Sequence, residues 1–152
     1  MDQKQIIKTL NWFYALELQQ VDLYLTQSDK VEDMYLKKAL QRIAVIEKQH
    51  AEKIKTAIEK RGGSISPVGD VLGPTMGKVM GTISGFTGPE YILKANIAIE
   101  EKAMKDYKDF ILKTGHDEQL FEMLWSNLID EDFHTAWFAN KLVEYEKQKV
   151  KI

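Results

Sequence analysis

Residues 43–54 read IAVIEKQHAEKI and residues 128–138 read LIDEDFHTAWF. In both, apolar residues recur at helical spacing, and in both the apolar stripe is broken by a glutamate followed three residues later by a histidine. The pairs are Glu47 with His50 and Glu131 with His134. Glu-x-x-His on a helix sets both side chains on one face, a turn apart, where they can grip the same metal ion. A lone pair is a weak signal, so its weight depends on what the other helices bring to the same level.

Two further segments answer. Glu17 interrupts the stripe Ile6, Leu10, Phe13, Val21, and Glu100 interrupts Leu93, Ile97, Met104, Ile111. Taken singly, each acid reads as part of a salt-bridge network or as a residue turned outward. As a set they differ, because no lysine or arginine occupies any of the four stripes. Four unpaired buried carboxylates would cost several kcal/mol each or take up protons. Two divalent cations carry the four balancing charges, with two neutral imidazoles completing the donors. Glu17 to Glu100 and Tyr24 to Tyr107 are each 83 residues apart, and Glu47 to Glu131 and His50 to His134 are each 84 apart. The chain therefore reads as two copies of a hairpin, each giving one Glu and one Glu-x-x-His, the arrangement that builds a two-metal site in a bundle core. Of the adjacent Glu100 and Glu101, the second aligns with Lys94, Lys105 and Lys108 on a charged face, which leaves Glu100 as the ligand. His116 lies at a helix boundary outside any stripe and is expected to be exposed and uninvolved.

Punctuation sets the rest of the fold. Ser28 and Asp29 form a helix-start signal, KRGGS at 60–64 a stop, TGPE at 87–90 a second start, and Gly115 followed by Asp117 another stop and start. These predict four amphipathic helices over about 3–27, 31–61, 89–113 and 117–148. The expected fold is all-α: one domain over 1–152, an antiparallel four-helix bundle whose long connection, 62–88, crosses between the second and third helices. That connection contains GDVLGPTMGKVMGTISGFTG (69–88), with glycine at 69, 73, 77, 81 and 85. Pro74 suits a first turn, so a helix over about 74–84 is expected. Its glycines would let it approach the bundle closely.

Bulk properties narrow the function. The chain has 152 residues and a formal net charge of −2, which offers no electrostatic case for nucleic acid. It has no cysteine, so thiolate metal sites and disulfides are out, a composition that fits the cytoplasm. No leader-like segment or apolar run of about eighteen residues is read.

The ligand pattern resembles the ferritin-like di-iron carboxylate superfamily over nearly the whole chain. Within it, GFTGPEYILKANIAIEEKAMKDY (85–107) is most similar to the demethoxyubiquinone hydroxylase family, where a glycine-rich crossover also leads into a helix with paired glutamates and a tyrosine seven residues beyond the first. The resemblance implies Glu17, Glu47, His50, Glu100, Glu131 and His134 as ligands of two iron ions per chain; manganese or a mixed Fe/Mn pair suits the same donors. It implies an oxidase or hydroxylase that takes O₂ and an external electron donor. The alternative is a metal-handling protein in which iron itself or H₂O₂ is the substrate. Ala103 stands where rubrerythrin-like proteins carry an extra glutamate, and Lys48 where bacterioferritin-like cages place a haem-binding methionine. In the hydroxylase family the crossover is associated with membrane contact, which implies peripheral contact through 68–86. A homodimer through the side of the bundle is the expected assembly. Tyr24 and Tyr107, seven residues beyond Glu17 and Glu100, read as hydrogen-bond donors to the ligands, as electron relays or as core fillers. Asp130 reads as a carboxylate that orients a ligand imidazole, or as a solvated surface acid.

Overall fold

The computed structural model describes residues 1–86, 88–114 and 117–149, the side chains of 74–77 and 84 excepted. Thr87, Gly115 and His116, and the expectations placed on them, lie outside the described residues. Five helices follow one another: α1 (Gln3–Ser28), α2 (Met34–Lys60), α3 (Val68–Ser84), α4 (Pro89–Thr114) and α5 (Glu118–Lys149).

Local chemistry sets their ends. At the start of α1, Asp2 accepts the Gln5 N–H at 2.8 Å and the Gln5 side chain accepts the Asp2 N–H at 3.1 Å, a reciprocal capping box. The expected start of the second helix at Ser28–Asp29 is corrected. Ser28 ends α1, its hydroxyl donating to the Leu25 carbonyl, and Asp29 is that helix's C-cap, so both lie too far back in the chain to cap a helix that begins at Met34. Asp33 does so instead, taking the N–H groups of Tyr35 and Leu36 at 2.8 and 3.0 Å.

Contacts between helix ends define the topology. Gln3 donates to the Arg61 carbonyl, the Met1 amino group reaches Lys113, Lys149 meets Glu90, and Tyr145 meets Asp33. Thus α1 runs antiparallel to α2 and α4, and α5 antiparallel to α4 and α2. The parallel pair α2 and α4 needs a connection spanning the bundle, and α3 provides it. This is the ferritin-like antiparallel four-helix bundle. Among the described residues no helix is long and apolar enough to cross a membrane.

α3 is broken at Gly73 (φ 69°, ψ 172°), a conformation open essentially to glycine alone, and helix resumes at Pro74. The expectation of close glycine-mediated packing is corrected. A Cβ added at Gly69, Gly73 or Gly81 would meet no atom within 4 Å. The segment instead packs through bulky residues: Met80 is buried, and Ile83 and Phe86 lie against the core. That core is two apolar clusters, one around Leu23, Tyr24, Leu36 and Leu93, the other around Phe13, Ile54, Tyr107 and Leu124.

Candidate metal centre

Between the two clusters the bundle holds a layer of ionisable groups. α1 contributes Glu17, α2 Glu47 and His50, α4 Glu100, and α5 Glu131 and His134. His134 is 4% exposed and the other five are 0% exposed. Each helix keeps its apolar period through this level, so leucine, isoleucine or aromatic side chains above and below turn the acid inward. Glu101 remains at the surface.

The donor atoms form two overlapping quartets: Glu17, Glu47, His50, Glu131 and Glu47, Glu100, Glu131, His134. Within each, the donors lie within 4.8 Å of one another. Glu47 and Glu131 belong to both. Glu47 sets Oε2 3.0 Å from His50 Nδ1 and Oε1 3.0 Å from His134 Nδ1. Glu131 sets Oε1 3.3 Å from the first imidazole and Oε2 3.4 Å from the second. The ring centroids are 6.4 Å apart, so these two glutamates span between them. Glu17 Oε2 and Glu100 Oε1 stand at opposite ends, 3.6 and 3.7 Å from His50 and His134 respectively.

The fit to divalent cations follows from what these atoms lack. Glu17 Oε2, Glu100 Oε2, both oxygens of Glu47 and Glu131, and Nδ1 of both histidines are buried without a well-directed hydrogen bond. Each such atom costs about 1–3 kcal/mol. A convergent set of carboxylates and imidazoles in this condition suits ions such as Fe(II) or Mn(II).

Protonation follows the same logic. Burial lifts the Glu17 carboxyl to about 7, against the lowering pull of His50. Burial, reinforced by the charge of Glu131, lifts Glu100 well above the carboxylate range. Burial would lower His134, but the surrounding Glu100, Glu131 and Glu47 prevail and push it up to about 12. His50 rises in the same way, with Asp130 its foremost partner. Without a cation the layer holds protons, which a cation would displace.

The groups around the layer are crossed between the two hairpins. Tyr24 of α1 donates not to Glu17 of its own helix but to Glu100 Oε1 of α4, and Tyr107 of α4 donates to Glu17 Oε1. Burial and the adjacent carboxylate raise both phenols, so they remain neutral donors. Asp130 likewise reaches across, its Oδ2 lying 2.9 Å from His50 Nε2. A carboxylate only accepts, so Nε2 carries a proton here, and once the ring is neutral Nδ1 is the nitrogen free to face the glutamates. Among the described residues His134 has no counterpart: its Nε2 is buried without a partner, and the position 84 residues before Asp130 is Ile46.

Two residues of the layer escaped sequence reading. Asn127 donates to the Tyr107 hydroxyl at 3.2 Å, and Gln20 reaches the Tyr24 hydroxyl at 3.5 Å. The available signal was a polar side chain on an apolar stripe one turn from a glutamate of the layer, Asn127 before Glu131 and Gln20 after Glu17.

A four-helix bundle whose core unites two glutamates with two Glu-x-x-His pairs is the architecture of the ferritin-like carboxylate metal proteins. The sequence profile of the ubiquinone biosynthesis protein COQ7 matches residues 14–144, and the chain belongs to that family. Among solved structures it is similar to a dodecameric thioferritin, the bacterioferritin-related protein from Bacteroides fragilis. The TM-score is 0.86 at 18% identity, covering 100% of this chain and 92% of that one, a likeness of fold. No curated protein sequence matches the chain.

Proposed function

We propose that this chain is a di-iron oxidoreductase that uses O₂ to hydroxylate an organic substrate, drawing electrons from an external donor. The observation that carries the reading is the pair of quartets sharing Glu47 and Glu131, supported by membership of a family named for ubiquinone biosynthesis. Glu17 and His50 would hold one ion and Glu100 and His134 the other, with Glu47 and Glu131 between them. Two such ions supply redox equivalents and Lewis acidity for the reaction with O₂.

The chain's own residues prepare the site. Tyr107 and Tyr24 each occupy one oxygen of Glu17 and Glu100, which leaves Oε2 of each as the free donor. Asp130 holds the His50 ring and its tautomer. The apolar clusters above and below exclude bulk water from the layer. A cleft of about 400 Å³ between α2 and α5 leads toward it, lined by Tyr35, Ile43, Phe133, His134 and Trp137 with Lys38 and Arg42 at its rim. Its aromatic walls suit a planar substrate.

Peripheral membrane contact through 68–86 belongs to this reading. Val79 is 48% exposed whereas Met80 is buried, so Val79→Ser probes lipid contact and Met80→Ser would probe packing. Wild type that fails to sediment with liposomes removes the membrane contact. For the chemistry, anaerobic Fe(II) loading followed by O₂, with and without a quinol or phenol, is decisive. We expect about two ions per chain and a product carrying ¹⁸O from ¹⁸O₂. Loading near zero sinks the metal reading. Rapid catalytic Fe(II) oxidation indifferent to every organic acceptor favours iron handling over hydroxylation.

A further inference from the structure

The outer surface of α5 carries a large apolar side chain at every fourth position. Phe121 is 38% exposed, Trp125 46%, Ile129 37% and Phe133 68%. The first two rings stack, 6.1 Å between centroids and 8° between planes. None of the four belongs to either core cluster, and the metal layer makes no use of them. Steps of four make a straight diagonal ridge on a helix. The ridge ends beside the α2–α5 cleft, where the exposed cations Lys38 and Arg42 stand. Its other end carries the exposed anions Glu118 and Glu122. These four charges form no ion pair among the described residues.

We propose that this ridge is the contact face of a homodimer, occupied by a second copy of the chain docked antiparallel across a two-fold axis at the level of residue 127. Such an axis pairs Phe121 with Phe133 and Trp125 with Ile129, each pairing occurring twice, as an isologous interface requires. The same rotation carries Glu118 and Glu122 of one copy to the Lys38–Arg42 end of the other. A parallel arrangement would instead set like charges together. Two ridges of four-residue spacing pack at a crossing of about −50°, which runs them side by side. Anionic lipid is a poorer occupant, because Glu118 and Glu122 would face its headgroups. The contact also completes the cleft: Phe121 of the second copy arrives at its mouth, above the edge of His134. The inference rests on the ridge and its charges alone and stands apart from the metal chemistry.

Sedimentation velocity on the full chain from about 1 to about 100 µM tests it. The wild type is expected to dimerise, and Phe133→Glu to remain monomeric with unchanged far-ultraviolet circular dichroism. Glu122→Lys and Arg42→Glu should each weaken the dimer roughly tenfold, and the double variant should recover most of the loss. The recovery separates a specific contact from general surface damage. A wild type that stays monomeric at about 100 µM, a dimer indifferent to these substitutions, or a monomer that binds vesicles through this face would each overturn the proposal.

Discussion

Glu47 and Glu131 differ from Glu17 and Glu100 in one respect: each turns one oxygen toward each imidazole. Glu47→Gln is therefore expected to abolish loading at both positions, whereas Glu17→Gln removes only the half built on His50 and leaves roughly one ion per chain. Elemental analysis after anaerobic Fe(II) loading and gel filtration separates the two; equal losses would contradict shared glutamates. The ion-free Glu47→Gln bundle should stay folded, since losing one of four convergent carboxylates relieves repulsion. Asp130 belongs to one half only. Asp130→Asn should weaken metal binding there by about 10- to 100-fold while the His134 half, whose Nε2 meets no such carboxylate among the described residues, titrates as before. A two-site binding isotherm reads this directly, and parallel weakening of both sites would remove the assignment. The sequence placed Asp130 near an imidazole but could not say which. The answer is not His134, four residues along its own helix, but His50, because helix packing aims the Asp130 carboxylate at α2.

At the scale of an element, α2 is tied down by one residue. Asp33 caps its first turn, accepts the Tyr145 hydroxyl at 2.6 Å and lies 3.2 Å from Lys141 Nζ. These partners, Tyr145 foremost, hold its carboxyl down at about 2 against an ordinary 3.8. A depressed folded pKa contributes stability that is present above the unfolded value and lost as pH falls through the folded one. Asp33→Ala should cost about 1–2 kcal/mol in urea at neutral pH. The gap to wild type should close as pH falls from about 4 toward 2. α3 gives a paired prediction. Gly73→Ala should cost roughly 1–3 kcal/mol, because φ 69° with ψ 172° strains any L side chain. Gly81→Ala, mid-helix with open space around the added carbon, should gain about 0.5–1 kcal/mol. Thermal unfolding that moves both variants in the same direction would refute the distinction. The four-residue glycine period by itself suggests a close-packed edge. Spacing groups residues on one side of a helix but does not say which side meets the bundle, and here Met80 does.

For the molecule as a whole, the buried layer couples folding to protons and, on the proposed function, to metal. In the ion-free chain Glu17 sits at about 7 against an ordinary 4.5, and His134 at about 12 against 6.5. Both groups bind protons more tightly folded than unfolded. Their stabilisation is complete below the unfolded pKa and is lost as pH rises, across 4.5–7 for Glu17 and from 6.5 upward for His134. A bound cation displaces these protons, so the loaded protein escapes the loss. The difference in Tm between loaded and ion-free protein should widen from about pH 5 to about pH 8. Calorimetry at matched metal concentration checks it, and a constant difference would break the linkage. The four bundle helices and the inward stripes bearing Glu17, Glu47, His50, Glu100, Glu131 and His134 were legible in the sequence, because helical period and helix-end chemistry act over a few residues. Sequence alone also supplied the internal repeat that makes the six a set. Only the tertiary structure decided which glutamates lie between both histidines, that Tyr24 serves Glu100 while Tyr107 serves Glu17, and that Asp130 serves His50. Those pairs are 76, 90 and 80 residues apart and join one hairpin to the other. Which side chains meet across the layer depends on how the two hairpins dock, and no local spacing encodes that.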